Sequence, residues 1–294
     1  MSDVELVLDA HALNGETPVW SARERALYWI DIEEPALHRF DPEAFEDRRW
    51  PMPSEIGAFA LCADGRILAA LRTGLMGIDL ERQSSWLLAE PPYDPLTHRF
   101  NDGKCDPQGR FWIGTMVKPM DGSEPKPDTR PTGLFRFNGH HLVESCASAV
   151  IGNGLAWSPD AATLYYSDSD ARGVRAYDFD GSSGDISNGR DFARFETGVP
   201  DGAAVDVEGF YWVANYDGGR VIRFASDGRI ERELHLPVSE PTMCAFGGDD
   251  MRDLYVTSAS SGLTPEKRGS EPHAGALYRA RAPAPGLPVP AFAT

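Results

Sequence analysis

Four oxygen-bearing side chains, Glu16, Asn101, Asn153 and Asp201, stand at equivalent places in a faint internal repeat. Each sits in a short turn ahead of an aromatic or aliphatic run: GETPVW before LYWID, NDGKCDP before FWIGT, NGLAWSPD before LYYSD, and DGAAVDVEG before FYWVAN. Equivalent places meet at one point when repeats close into a ring. Two carboxylates and two carboxamides brought together there would repel and resist burial unless something positive lay among them. Oxygen donors without His or Cys suit hard cations such as Ca²⁺, Mg²⁺ or Mn²⁺, and Glu16 with Asp201 carries the charge that neutralises one divalent ion. Such ligands also accept Zn²⁺ and Fe²⁺, so the expectation is one divalent metal cation of unspecified element. Two readings without catalysis use the same residues: a dry polar plug hydrogen-bonded across the channel, and a metal that serves stability alone.

The elements that must position these residues are short strands. Two further units share the frame, GAFALCADGRILAAL with Ala58 at the common place and TMCAFGGDDMRDLYVTSA with Thr242 there. The six places are separated by 41 to 52 residues, close to the roughly 40 to 50 of four-stranded propeller blades. Within each unit, runs rich in Val, Ile, Tyr, Trp and Phe are broken by turns such as Ala63-Asp64-Gly65, Ser158-Pro159-Asp160 and Ser226-Asp227-Gly228, where Asp and Gly serve the turn itself. No long stretch keeps a period of 3.6, and 23 prolines and 29 glycines are scattered along the chain. The fold class predicted is all-β, a six-bladed β-propeller with a central metal site, forming one domain over residues 1–294.

Three further expectations concern the chain's ends and its one long interruption. Alternation in Val4 to Leu8 and in Gly275 to Arg279 predicts that the termini pair in one blade, which removes the exposed edges of an open array. The Pro-rich insert Lys118 to Pro131 is expected to hang as a loop on one face. Residues 282–294, ARAPAPGLPVPAFAT in their setting, read as an extended and poorly ordered tail.

Composition narrows the setting. Lys and Arg number 28 against 45 Asp and Glu, a formal charge of −17 that disfavours nucleic acid and anionic membranes as partners. The first thirty residues hold neither a basic start with an apolar core nor eighteen consecutive apolar residues, so neither export nor membrane spanning is predicted. Cys62, Cys105, Cys146 and Cys244 are widely spaced, without Cys-x-x-Cys, and read as buried free thiols suited to a reducing cytoplasm. There is no Gly-x-Ser-x-Gly elbow, Walker loop, His-Glu-x-x-His or Rossmann fingerprint, which turns the reading away from serine hydrolases and zinc proteases. His140-His141 reads as solvated turn.

The segments GETPVW, RFNDGKCDPQGRFWIGTM, GNGLAWSPDAATLYYSDS and VPDGAAVDVEGFYWVAN resemble, in order and spacing, the signature stretches of the regucalcin, gluconolactonase and luciferin-regenerating enzyme family. The resemblance implies a six-bladed propeller with one divalent metal in its channel. It makes Glu16, Asn153 and Asp201 the metal ligands, Arg99 and Asn101 the substrate contacts, and Asp201 the general base. After GTM, where animal members carry acidic residues, this chain reads Val117, Lys118, Pro119.

The reaction expected is hydrolysis of a sugar lactone, an aldono-1,4- or 1,5-lactone such as glucono-, xylono-, arabinono- or galactonolactone, to the aldonic acid. A Lewis-acid metal and a carboxylate that deprotonates water are the parts such a reaction needs, and Arg99 offers fixed donors for sugar hydroxyls. Trp20, Phe59, Trp112, Met116 and Trp157 are candidate apolar walls, although aromatics at strand spacing usually belong to the blade cores. Glu55 could reach the pocket mouth. The alternatives are a phosphotriesterase-like hydrolase on the same metal site and a non-catalytic calcium-binding protein.

Overall fold

The structure is a computed structural model that describes residues 4–123 and 132–293. Among the described residues twenty-four strands form six four-stranded antiparallel sheets. Each sheet begins with an innermost strand: Gly15–Ser21, Ile56–Leu61, His98–Cys105, Gly152–Trp157, Val199–Val205 and Pro241–Gly247. Each innermost strand packs against those of the preceding and following sheets, and the last packs against the first. The six sheets are therefore the blades of a closed propeller, numbered one to six from Gly15, with the innermost strands lining the central channel.

Burial falls from the axis outward. The innermost strands are almost wholly buried, whereas the outermost, such as Glu46–Pro51, Ser84–Ala89 and Ile230–His235, are largely exposed. The main cores lie between neighbouring blades. Trp112 of blade three meets Trp157 and Phe179 of blade four edge to face, at centroid distances of 6.1 Å each. Such buried side chains contribute roughly 1.5–3 kcal/mol apiece, so closing the ring is what stabilises sheets too small to stand alone.

The sixth blade is built from both ends of the chain. Val4–Leu8 pairs with Leu277–Arg281, with Glu5 opposite Arg279, and completes the sheet begun by Pro241–Gly247 and Asp253–Ser258. The predicted closure is present, with the partner strand shifted two residues from its expected start. Among the described residues one short helix, Pro265–Ser270, interrupts the all-β pattern; Thr264 caps it and Pro265 opens it. At six residues it is too short to show a helical period in sequence.

The tail differs from expectation. Residues 282–293 are extended but docked across the lower face, where the innermost strands end. Gly286 N donates to Met251 O, Leu287 N to Val205 O, Phe292 N to Leu61 O and Ala293 N to Gly109 O, and Phe292 is buried. Backbone hydrogen bonds to several blades, rather than side-chain pattern, hold this Ala- and Pro-rich segment. The insert starts by bonding Lys118 N to Thr97 O and Met120 N to Leu96 O; residues 124–131 lie outside the described residues.

Among the described residues no helix is long and apolar enough to cross a membrane. All four cysteines are free, but only Cys105 and Cys244 are buried. Cys146 is exposed because it lies in the outermost strand of blade three, Leu142–Ala149, and Cys62 is half-buried.

Candidate functional site

All six innermost strands carry an irregularity in register at the same place: between Glu16 and Val19, Ile56 and Ala58, Phe100 and Gly103, Asn153 and Ala156, Pro200 and Ala203, and Pro241 and Cys244. A bulge breaks the alternation of side chains and re-aims them. Glu16, Asn101, Asn153 and Asp201 stand at or inside these bulges, so the repeat delivers them to one level near the upper end of the channel. The entry to the strand is fixed from the neighbouring strand: Asp31 accepts from Leu13 N and Asn14 N at 2.9 and 3.1 Å, and Asp168 accepts from Val150 N and Ile151 N at 3.0 and 3.2 Å.

A hydrogen-bonded chain links half of the cluster. Arg99 Nη1 donates to Asn101 Oδ1 at 2.7 Å, Asn101 Nδ2 to Asn153 Oδ1 at 2.8 Å, Asn153 Nδ2 to Ser169 Oγ at 2.8 Å, and Ser169 Oγ to Pro200 O at 2.6 Å. Glu16 accepts from Thr17 N at 2.6 Å. Thr17 has φ 45°, a left-handed conformation that costs a β-branched residue about 1–2 kcal/mol. Gly154, next to Asn153, has φ 65°, and a Cβ there would lie 2.4 Å from the Tyr211 hydroxyl.

The carboxylates are electrostatically unsettled. Burial, reinforced by the charge of Asp102, pushes Glu16 up to about 8. Burial, then repulsion from Glu16 and Asp102, holds Asp201 well above the usual carboxylate range. Burial also raises Asp102, against the pull of Lys104. Lys104 is itself lowered by burial and donates its ammonium to Ala203 O. With Lys104 answering Asp102, Arg99 is the remaining cation for both Glu16 and Asp201. Arg99 Nε and Asp102 Oδ1 are buried without a hydrogen-bond partner.

This donor set fits one divalent cation. Glu16, Asn153 and Asp201 offer carboxylate and carboxamide oxygens at one level, and two of them are carboxylates held close against their own repulsion. Among the described residues no group of three or more His, Cys, Asp or Glu side chains is arranged to hold a metal; here two acids are joined by carboxamides. The plug reading accounts for Asn101 and Asn153, which hydrogen-bond each other, but not for the two repelling acids.

The mouth above the cluster is formed by loops. Arg72, buried, pairs with Glu55 and donates to the carbonyls of Pro95, His98 and Lys118 at 2.9, 3.0 and 2.9 Å. Glu55 and Glu33 both act on Arg99 through their charge, and the Tyr216 phenol faces Glu240, Asp201 and Glu33. Glu55 is committed to Arg72 and lies near enough to Arg99 for its charge to act there. The proposed walls are mostly elsewhere. Phe59, Trp112 and Trp157 are buried between blades, Trp20 stacks on Tyr255, and Met116 bridges to Ile151 beside the mouth.

Asp102, Lys104, Ser169, Tyr216 and Glu240 were not singled out in the sequence. A regularly alternating strand would send Asn101 and Asp102 to opposite faces; the bulge brings both into the channel region. The signal available was the repeat itself, because a bulge at one innermost strand implies one at all six.

Fold and site together define a propeller whose channel gathers oxygen-bearing side chains at its upper end. The SMP-30/Gluconolactonase/LRE-like region matches residues 14–260. The chain is 42% identical over 282 residues to a 6-deoxy-6-sulfogluconolactonase of Pseudomonas putida, covering 95% of this chain and 94% of that protein. It is 36% identical to regucalcin of Oryctolagus cuniculus, covering 94% and 93%. The crystal structure of a calcium-binding protein, regucalcin, from Agrobacterium tumefaciens superposes with a TM-score of 0.92 at 26% identity, covering 98% and 97%. This chain belongs to the SMP-30/gluconolactonase/LRE-like family.

Proposed function

We propose that this chain is a sugar lactonase that hydrolyses an aldono-1,4- or 1,5-lactone to the aldonic acid, with one divalent cation held by Glu16, Asn153 and Asp201. The observation that carries the reading is the pair of mutually repelling carboxylates at equivalent bulges, Glu16 buried and Asp201 part-buried, in a family that includes a named sugar lactonase. When bound, the cation would supply Lewis acidity to the carbonyl oxygen of the lactone.

Asp201 is the general base. In the metal-free protein burial and neighbouring acids hold it toward its protonated form, and a cation beside it would favour the carboxylate that takes the proton; the residue is part-buried. It takes a proton from water as the water oxygen bonds to the carbonyl carbon. The ring C–O bond then breaks, and the departing oxygen receives that proton as the new hydroxyl group. Arg99 is the substrate clamp: its Nη1 is occupied by Phe100 O and Asn101 Oδ1, which fixes the guanidinium, while among the described residues its Nη2 has no hydrogen-bond partner. Asn101 orients both Arg99 and Asn153 and lies beside the ligands. The companion proposals are a cytoplasmic setting, supported by four free thiols, and small-molecule lactones as the sole partners assigned.

The test is proton release during hydrolysis of glucono-, galactono-, xylono- and arabinonolactones above their spontaneous rates. Chelator-stripped protein is compared with protein resupplied with each divalent metal, and with Asp201→Asn. Metal-dependent turnover that collapses in the variant is expected. Tight metal binding with no turnover of any lactone would favour a calcium-binding role, in line with the name of the Agrobacterium structure.

A further inference from the structure

Two positions before the six convergent residues the chain reads Asn14, Ile56, Arg99, Ile151, Val199 and Glu240. Two of these are charged, with opposite signs. They belong to blades three and six, which lie on opposite sides of the channel in a ring of six. The repeat therefore sets a carboxylate across the mouth from the proposed substrate arginine.

Glu240 is built into this place. It is 5% exposed, and its Oε2 has no hydrogen-bond partner. A Cβ at Gly262 would lie 2.8 Å from the Tyr216 hydroxyl and 2.9 Å from Glu240 Oε1, so the loop after Ser258 closes on this pair through a residue that has no side chain. The Tyr216 phenol is also within reach of the charge of Asp201 and Glu33. The charged groups that face Glu240 are Lys267, Asp217 and Glu271. Lys267 is bound to Asp217 at 2.8 Å, and Glu271 accepts from Ser239 N at 2.7 Å. Among the described residues no ion pair includes Glu240. A buried acceptor left unmatched is destabilising, more so when charged, and a group kept in that state calls for a use.

We propose that Glu240, oriented by Tyr216, determines specificity by accepting a hydrogen bond from a hydroxyl of the lactone's polyol part, opposite Arg99, and by repelling a lactone with an anionic group there. This rests on the lactonase reading. The Pseudomonas putida relative is named for a lactone in which a sulfo group replaces the 6-hydroxyl; this chain would instead select an uncharged sugar lactone. Glu33 at the mouth adds charge of the same sign, Glu55 is offset by Arg72, and the exposed Lys118 lies on the blade-three side with Arg99.

The test compares kcat/KM for the best neutral aldonolactone and for 6-deoxy-6-sulfogluconolactone in wild type, Glu240→Gln, Glu240→Ala and Tyr216→Phe. The ratio of the two values within one protein cancels any loss of folded fraction. Wild type is expected to prefer the neutral lactone by roughly ten-fold or more. Glu240→Gln should lower turnover of the neutral lactone less than Glu240→Ala does and draw the ratio toward unity, Glu240→Ala should lower neutral turnover further, and Tyr216→Phe should shift the ratio in the same direction more weakly. A wild-type preference for the sulfonated lactone, or a ratio unmoved by both Glu240 substitutions, would overturn the inference and leave the lactonase reading standing. No turnover of either lactone would overturn both.

Discussion

The two ends of the innermost strands bury the same kind of side chain and treat it differently. At the lower end, Asp206 is fully buried and saturated: Oδ1 accepts from Glu208 N and Phe210 N, and Oδ2 from Trp212 Nε1 and two nitrogens of Arg223. Asp106 repeats the arrangement with Gln108 N, Arg110 N, Arg110 Nε and Trp112 Nε1. At the upper end, Asp102 is as buried but leaves Oδ1 unmatched, and Glu16 and Asp201 repel each other. The lower end also has the tail laid across it, whereas the upper end is framed by separate loops. Saturated carboxylates stabilise the fold; unsaturated ones, held in place by strain at Thr17 and tight packing at Gly154, are kept for something that arrives from outside.

The sharpest way to break this contrast is to remove one acid from each end. Asp201→Asn should lower metal-supported lactone turnover by about 10²–10⁴-fold, the usual worth of a general base, with little change in Tm. Asp206→Ala should do the reverse, lowering Tm because Trp212 Nε1 and Arg223 Nε lose their acceptor, at about 1–3 kcal/mol per buried donor left unmatched, although Glu208 and Glu231 still pair Arg223, while kcat per folded molecule stays near wild type. If Asp206→Ala proved as harmless to Tm as Asp201→Asn, the division of labour would be wrong. Gly154→Ala should have an intermediate effect. Its Cβ would press on the Tyr211 hydroxyl and on Ser167 Oγ at 2.6 Å and force a left-handed residue, lowering Tm and displacing Asn153; a calorimetric scan and a metal titration would both register it.

A smaller effect is expected from pH alone. Glu16 rises from 4.5 to about 8 in the folded, metal-free protein, so folding favours its protonated form. The stability that this provides is complete below pH 4.5 and lost as pH climbs through about 8. Chelated protein should accordingly lose Tm across that window relative to Glu16→Gln, and added divalent metal should restore it most at the alkaline end. A parallel pH dependence in the two proteins would mean that Glu16 does not titrate as described.

Much of this was legible in the sequence because the repeat links distant residues. Glu16, Asn101, Asn153 and Asp201 could be aligned from the strand that follows each, and the pairing of Val4–Leu8 with the last strand followed from closure. What escaped was set by other physics. The docking of residues 282–293 depends on backbone donors and acceptors, which Ala and Pro letters do not advertise. Asp102 was hidden by a bulge that suspends strand alternation, and Trp112 and Trp157 look alike in sequence whether they line a channel or a core. Glu240 and Tyr216 meet only through loop geometry around Gly262, although the position of Glu240 relative to Thr242 matched that of Arg99 relative to Asn101 from the start.

The most direct test of the central claim is a calorimetric titration of divalent metal into chelator-stripped protein, with wild type beside Glu16→Gln and Asp201→Asn. The account predicts one site per chain in wild type, proton release on binding that grows as the buffer is taken below pH 8, and affinity lost by both variants while their melting transitions remain cooperative. Unchanged stoichiometry and affinity in both variants would contradict it, because the cation would then be bound somewhere other than at the convergent acids.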